Sequence, residues 1–108
     1  MFGTIAIGRV KKDKVRELMA LGKEWDSGGR KRAAGYINSE ILWSDNGDGR
    51  LMMIVRFVNK DLYMKNAASP EQHAFYQKLR ACLEEDPTWF DGTFGGWDSA
   101  YAQTPELS

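Results

Sequence analysis

The chain has 108 residues, enough for one domain with a real but modest core. Fifteen basic and fifteen acidic residues cancel to a formal net charge of zero, so no global field draws in nucleic acid or an anionic membrane. No apolar run approaches the roughly 20 residues that span a bilayer, and the single cysteine, Cys82, excludes an intrachain disulfide and fits a reducing cytoplasm.

The opening Met-Phe-Gly-Thr-Ile-Ala-Ile-Gly-Arg lacks a charged n-region and a cleavage signal, so no signal peptide is expected. Residues 2–9 alternate weakly, with Ile5 and Ile7 on one side and Phe2, Thr4 and Ala6 on the other, which predicts a strand. From about Lys12 the period changes. Val15, Leu18, Met19, Gly22 and Trp25 recur at spacings of three and four and form one stripe of a helix. Ser27-Gly28-Gly29 is expected to end it, because glycine accepts the left-handed conformation at a helix C-terminus. A basic loop, Arg30-Lys31-Arg32, follows.

Strands are predicted at about 35–44 and 50–59. They are joined by Ser44-Asp45-Asn46-Gly47-Asp48-Gly49, a run dense in residues that tolerate positive φ. An even register sum places Ile37, Ser39, Ile41, Trp43, Leu51, Met53, Val55 and Phe57 on one side of this hairpin. Tyr36, Asn38, Glu40, Leu42, Met52, Ile54, Arg56 and Val58 fall on the other. The first side is almost wholly apolar. The second is mostly apolar but carries an amide, a carboxylate and a guanidinium. An odd register would put Glu40 in the apolar row.

Asn59 can cap a short helix over about 60–67. Ser69-Pro70-Glu71-Gln72 starts a second main helix, with Ser69 at N-cap, Pro70 in the first turn and Gln72 completing a capping box. Its stripe is Gln72, Phe75, Tyr76, Leu79, Cys82 and Leu83; it runs to about Glu85, and Pro87 stops it. A last strand covers about 88–96, and residues 98–108 read as a polar tail after a domain of residues 1–97. The order β-α-β-β-α-β with right-handed crossovers makes an α+β, ferredoxin-like domain. Its four-stranded antiparallel sheet has both helices on one face. The helices cover the apolar row. The face with Asn38, Glu40 and Arg56 is left bare, and two sheets packed face to face would bury it, so a homodimer through the sheet is expected.

The chain resembles the antibiotic-biosynthesis-monooxygenase-like domains of the dimeric α/β-barrel proteins, which share this element order, length and dimerisation through the sheet. Gly35-Tyr36-Ile37-Asn38-Ser39-Glu40-Ile41-Leu42 resembles their second strand. Glu85-Asp86-Pro87-Thr88-Trp89-Phe90-Asp91-Gly92 resembles a helix-to-last-strand junction of uncharacterised members. The resemblance covers about residues 2–97. It implies a dimeric α/β barrel and, in some members, cofactor-independent oxygenation of quinols or polyketide phenols. Other members degrade haem or isomerise small lactones, and many have no known activity. The haem-degrading branch uses an asparagine on the first strand; Gly3-Thr4-Ile5-Ala6-Ile7 offers none.

His73, the only histidine, sits one turn into the second main helix, roughly 120° from the centre of the Phe75–Leu79–Cys82 stripe. It reads either as a surface residue or as a base for a phenol proton near neutral pH. With one histidine and one cysteine nine residues apart, no side-chain metal site is recognisable. Arg56 with Glu40 reads as a cross-strand or cross-dimer salt bridge, or Arg56 as a clamp on a phenolate. Asn38 suits either role. Four tryptophans, with Tyr36, Tyr63 and Tyr76, either fill the core and interface or wall a flat aromatic ligand. Trp97, after Gly95-Gly96, reads as a lid or a reach into a partner.

Two readings of function follow. In the first, a cofactor-independent monooxygenase-like protein acts on a small quinol or phenol, with His73 and Arg56 in the chemistry and Asn38, Tyr76 and Trp97 against the substrate. In the second, the homodimer is a non-catalytic binding or structural protein. A cavity that touches His73 or Arg56 beside several aromatics separates the first from a filled interior.

Overall fold

A computed structural model describes residues 1–97, apart from the side chains of residues 29 and 30; the expected tail at 98–108 lies outside the described residues. The elements are β1 (Phe2–Arg9), α1 (Val15–Arg32), β2 (Tyr36–Trp43), β3 (Arg50–Phe57), α2 (Lys60–Ala67), α3 (Pro70–Ala81) and β4 (Thr88–Thr93). The strands form one antiparallel sheet in the order β2-β3-β1-β4. This is the ferredoxin-like arrangement that the element order predicts. Among the described residues no helix is long and apolar enough to cross a membrane.

The hairpin turn closes as its composition requires. Gly47 and Gly49 take φ of 73° and 81°. The Asn46 side chain accepts from the Ser44 hydroxyl and the Asp48 N–H, and Asp48 accepts from the Arg50 N–H. From Asn38 onward the register is even, pairing Asn38 with Arg56 and Trp43 with Leu51. It shifts between Tyr36 and Asn38, and Tyr36 pairs with Phe57. This irregularity corrects the alternation argument at one residue. An extra residue in one strand resets which way its neighbours point. Tyr36 therefore leaves the bare side and joins Trp25, Ala33 and Phe57 in the core beneath the helices.

Two helix ends differ from expectation. The α1 helix does not stop at Ser27-Gly28-Gly29 but continues to Arg32, so the expected basic loop is its last turn. Arg32 donates from Nη2 to the carbonyls of Glu24 and Trp25 at 3.1 Å each, and its guanidinium lies 4.5 Å from the Trp25 ring centroid. These contacts, and a cation at the negative end of the helix dipole, outweigh the cost of about 1 kcal/mol for each internal glycine.

The α3 helix begins as expected, with Ser69 Oγ accepting from the Gln72 N–H at 3.1 Å. The capping box is not completed, because the Gln72 carbonyl accepts from the Asn66 amide instead. The helix ends at Ala81, before Pro87. The next residues turn to meet the sheet: Lys11 donates its N–H to the Cys82 carbonyl, Glu84 donates to that of Arg9, and Leu83 bridges Val10. Cys82 and Leu83 are fully buried there with Val10, Leu18, Leu51 and Leu79.

Candidate functional site

The α1 helix rests on β2 and α3, and α2 on β1, β3 and α3. The roof therefore stands partly clear of the sheet and leaves an open-sided cavity of about 1030 Å³. Its floor is the covered sheet face: Thr4 and Ala6 of β1, Ile41 of β2, Met53, Val55 and Phe57 of β3, and Trp89 and Asp91 of β4. Its roof includes Leu18, Met19 and Trp25 of α1, Tyr63 of α2, and Phe75, Tyr76 and Leu79 of α3.

The aromatic walls are braced by one another. Trp25 stacks on Phe75 at 4.6 Å between centroids, and Tyr76 leans on Trp89 at 5.9 Å. Phe57 meets Tyr36 and Tyr63 edge-on, both at 5.6 Å. Offset and edge-to-face pairs hold rings in fixed orientations.

Polar groups also border the cavity, among them Lys23, Asp26, Ser39, Asn66, Gln72 and Asp91. Asp26 Oδ1 accepts from the Tyr36 hydroxyl at 2.5 Å and from the Ser39 N–H at 3.0 Å. This ties the end of α1 to β2 where the register shifts, so the carboxylate explains why a buried tyrosine is tolerated there. At β4, Tyr63 Oη donates to Asp91 Oδ1 at 3.3 Å. Burial first, then the Asp91 carboxylate, push the Tyr63 phenol above its ordinary value of 10.0.

The raised value makes a prediction whose sign is fixed. Above about pH 10 the unfolded chain releases the phenol proton while the folded chain keeps it. Stability contributed by Tyr63 is whole below that pH and is lost as pH rises toward the folded value. In urea titrations the stability gap between the wild type and Tyr63→Phe should shrink from about pH 9 to about pH 11. Parallel curves would contradict it.

The five site residues expected from the sequence divide between two faces. His73 and Tyr76 line the cavity, three residues apart on α3. His73 is an exposed residue at its edge. Asn38 and Arg56 sit on the opposite sheet face, where Arg56 Nη1 donates to Glu40 Oε1 at 2.7 Å and to Asn38 Oδ1 at 3.3 Å. Its guanidinium also lies 4.9 Å from the Phe94 ring centroid. The sheet thus separates Arg56 from His73, and the two do not share a site. Trp97 is fully exposed beyond β4.

Asp91 was not singled out by sequence reasoning. Its signal was a carboxylate at mid-strand between Trp89 and Thr93, on the face that alternation turns inward. Cys82 is fully buried, which pushes its thiol up and removes it from chemistry. Among the described residues, no three His, Cys, Asp or Glu side chains gather to hold a metal ion.

The fold and cavity define a class: a ferredoxin-like α+β domain with an aromatic chamber between sheet and helices. Its relatives appear by structure alone. No protein-family model matches the chain, and no curated protein matches it. Among solved structures, a candidate antibiotic biosynthesis monooxygenase of Deinococcus radiodurans superposes with a TM-score of 0.74 at 12% identity, over 92% of this chain and 97% of that one. An antibiotic biosynthesis monooxygenase gives 0.69 at 14% identity, over 85% and 96%. A conserved protein of Methanosarcina mazei Go1 gives 0.71 at 19% identity, over 84% and 89%. The chain therefore has the fold of the antibiotic-biosynthesis-monooxygenase-like domains, as the hairpin and the last-strand junction suggested.

Proposed function

We propose that this chain is a monooxygenase-like protein that takes a small quinol or phenol into the aromatic chamber. The observation that carries the reading is the cavity itself, lined by Trp25, Phe75, Tyr76 and Trp89 with His73 at its edge. His73 accepts the phenol proton, and the electron-rich phenolate gives its electrons to dioxygen. The overall reaction balances without another reductant. The phenol O–H and one ring C–H hydrogen leave with one oxygen atom as water, while the other oxygen becomes a quinone carbonyl. The apolar walls hold water away from the reacting carbon. Tyr76 packs against the ring.

Oxygen consumption with naphthols and hydroquinones tests the reading. Uptake matched to quinone formation is expected, with a fall of about 100-fold in His73→Ala and little change in binding. Binding without uptake would favour a non-catalytic carrier of the same fold. Neither binding nor uptake would end the proposal.

We also propose a homodimer through the open sheet face. That face carries Ile5, Ile7, Leu42, Met52, Ile54 and Phe90, with Phe90 72% exposed and Leu42 59% exposed. A patch of this kind is unusual on a monomer. In this reading Asn38, Glu40 and Arg56 serve the interface and Trp97 reaches the partner. Sedimentation should give a dimer at micromolar concentration that Leu42→Glu with Phe90→Glu splits. A folded wild-type monomer at that concentration would contradict it.

A further inference from the structure

We propose that Tyr63 is the hydrogen-bond donor that meets the oxygen of the bound aromatic and holds it more tightly once it has become a phenolate. The role rests on the reading of the cavity as a phenol site and adds a residue to its chemistry.

Tyr63 lines the cavity from α2. Its ring stands against Phe2 and Phe57, which pair across β1 and β3. The centroids are 5.3 and 5.6 Å away, at interplanar angles of 57° and 74°. Two tilted contacts on one ring fix its orientation. The hydroxyl therefore ends at a set place, by Thr4 and Asp91, which face each other across β1 and β4. Thr4 is 3% exposed, so this end of the site has a firm floor.

The hydroxyl has its proton to give. Burial, then the Asp91 carboxylate, oppose its ionisation, and the Thr4 hydroxyl offsets them only in part, so it stays neutral around pH 7. Its present bond is easily exchanged. The Asp91 oxygen is 3.3 Å away in a solvent-exposed contact, long against the usual O–H···O length of about 2.7–2.8 Å. Asp91 is itself exposed, so water replaces the Tyr63 donor when the hydroxyl turns to a ligand.

A neutral phenol oxygen accepts an ordinary hydrogen bond from Tyr63. A phenolate oxygen accepts a charge-assisted one, shorter and stronger. The contact therefore strengthens as His73 removes the proton, and an interaction that grows along the reaction lowers its barrier. Tyr63 keeps its own proton throughout. The two helices that carry base and donor are joined: Asn66, one turn beyond Tyr63, donates its amide to the Gln72 carbonyl, beside His73. Lys23 also borders the cavity and favours an anion by charge alone, so the test compares variants that share it.

Binding of 4-nitrophenol to the full chain is measured by equilibrium dialysis under nitrogen, at one pH below and one above the ionisation of the probe. Tyr63→Phe, which keeps both ring contacts, should weaken the phenolate about tenfold and the neutral phenol about threefold or less. It also leaves Asp91 without its donor, so Asp91→Asn and the double variant are measured beside it. The double variant should stay about tenfold weaker for the phenolate than Asp91→Asn alone. Equal affinities in those two would assign the effect to the Asp91 charge and overturn the inference. Equal losses of phenol and phenolate in Tyr63→Phe overturn it as well. In the wild type, affinity should rise with basicity across a series of substituted nitrophenolates, and a flat series counts against a donor whether or not Tyr63→Phe folds. If folded wild type binds neither form of the probe, the phenol-site reading falls and this role with it. The expected differences without oxygen uptake would keep the donor and retire only the oxygenase reading.

Discussion

Phe57→Ala should cost about 3–5 kcal/mol of folding stability, the range for truncating a fully buried phenylalanine. Phe57 is 0% exposed and stands where three parts of the fold meet. It ends β3, pairs across the sheet with Phe2 on one side and Tyr36 on the other, and meets the rings of Tyr36 and Tyr63 edge-on. Removing the ring loses its transfer energy and both aromatic contacts, and adds void to a chamber wall that already has space on one side. Domains of this size have roughly 5–15 kcal/mol in all, so about a fifth or more of the total would go. Urea unfolding followed by tryptophan fluorescence checks it. A loss under about 1 kcal/mol would mean that the roof collapses onto the site, and the chamber would not be the rigid feature described above.

Phe57 was also among the residues most legible from sequence. Parity along the hairpin placed it in the apolar row, and the glycine-rich turn fixed that row against its partner. The same rule failed at Tyr36, because parity counts residues and a register shift changes the count. The composition of Gly35-Tyr36-Ile37 does not reveal such a shift. The compensating group, Asp26, lies on another element ten residues earlier. The α1 helix outran its glycines for a similar reason. Glycine is a local signal, and Arg32 folding back over Trp25 is a tertiary one.

The candidate site was legible in its parts and not in its assembly. Helical spacing put Tyr76 on the inner stripe of α3 and His73 near its edge, and both line the chamber. Alternation put Asn38, Glu40 and Arg56 together on the bare face, where they are joined. What sequence could not supply was the sheet standing between those two groups, since a function is easily imagined across a barrier that only the fold reveals. Asp91 was passed over because a lone carboxylate on a strand reads as solvated; it is exposed, at the rim of the cavity. Its meaning depends on Thr4 and Tyr63, distant in sequence and adjacent in space.

Gly3→Ala should be the other severe substitution, costing about 3 kcal/mol, at the upper end for overpacking. A Cβ at Gly3 would lie 1.8 Å from the Val55 carbonyl oxygen and 2.9 Å from its carbon. Those are backbone atoms of the strand beside it, so no rotamer change relieves the clash, and β1 and β3 must part. They are the two central strands, and neither can move without disturbing an edge strand. The same Cβ would come within 3.0 Å of the Phe94 ring, over which Arg56 lies. The bare side of Gly3 is therefore what lets Phe94 fold back across the outer face. Gly22→Ala makes the contrast: it is helical, a Cβ there meets nothing within 4 Å, and it should stabilise by about 1 kcal/mol. Thermal unfolding of both, with amide exchange of β1 and β3 in Gly3→Ala, checks the pair. Equal stability of Gly3→Ala and the wild type would show that the strands separate at little cost. The outer face, with its Arg56–Glu40 pair and exposed apolar rows, would then be too pliable to define the interface proposed for it.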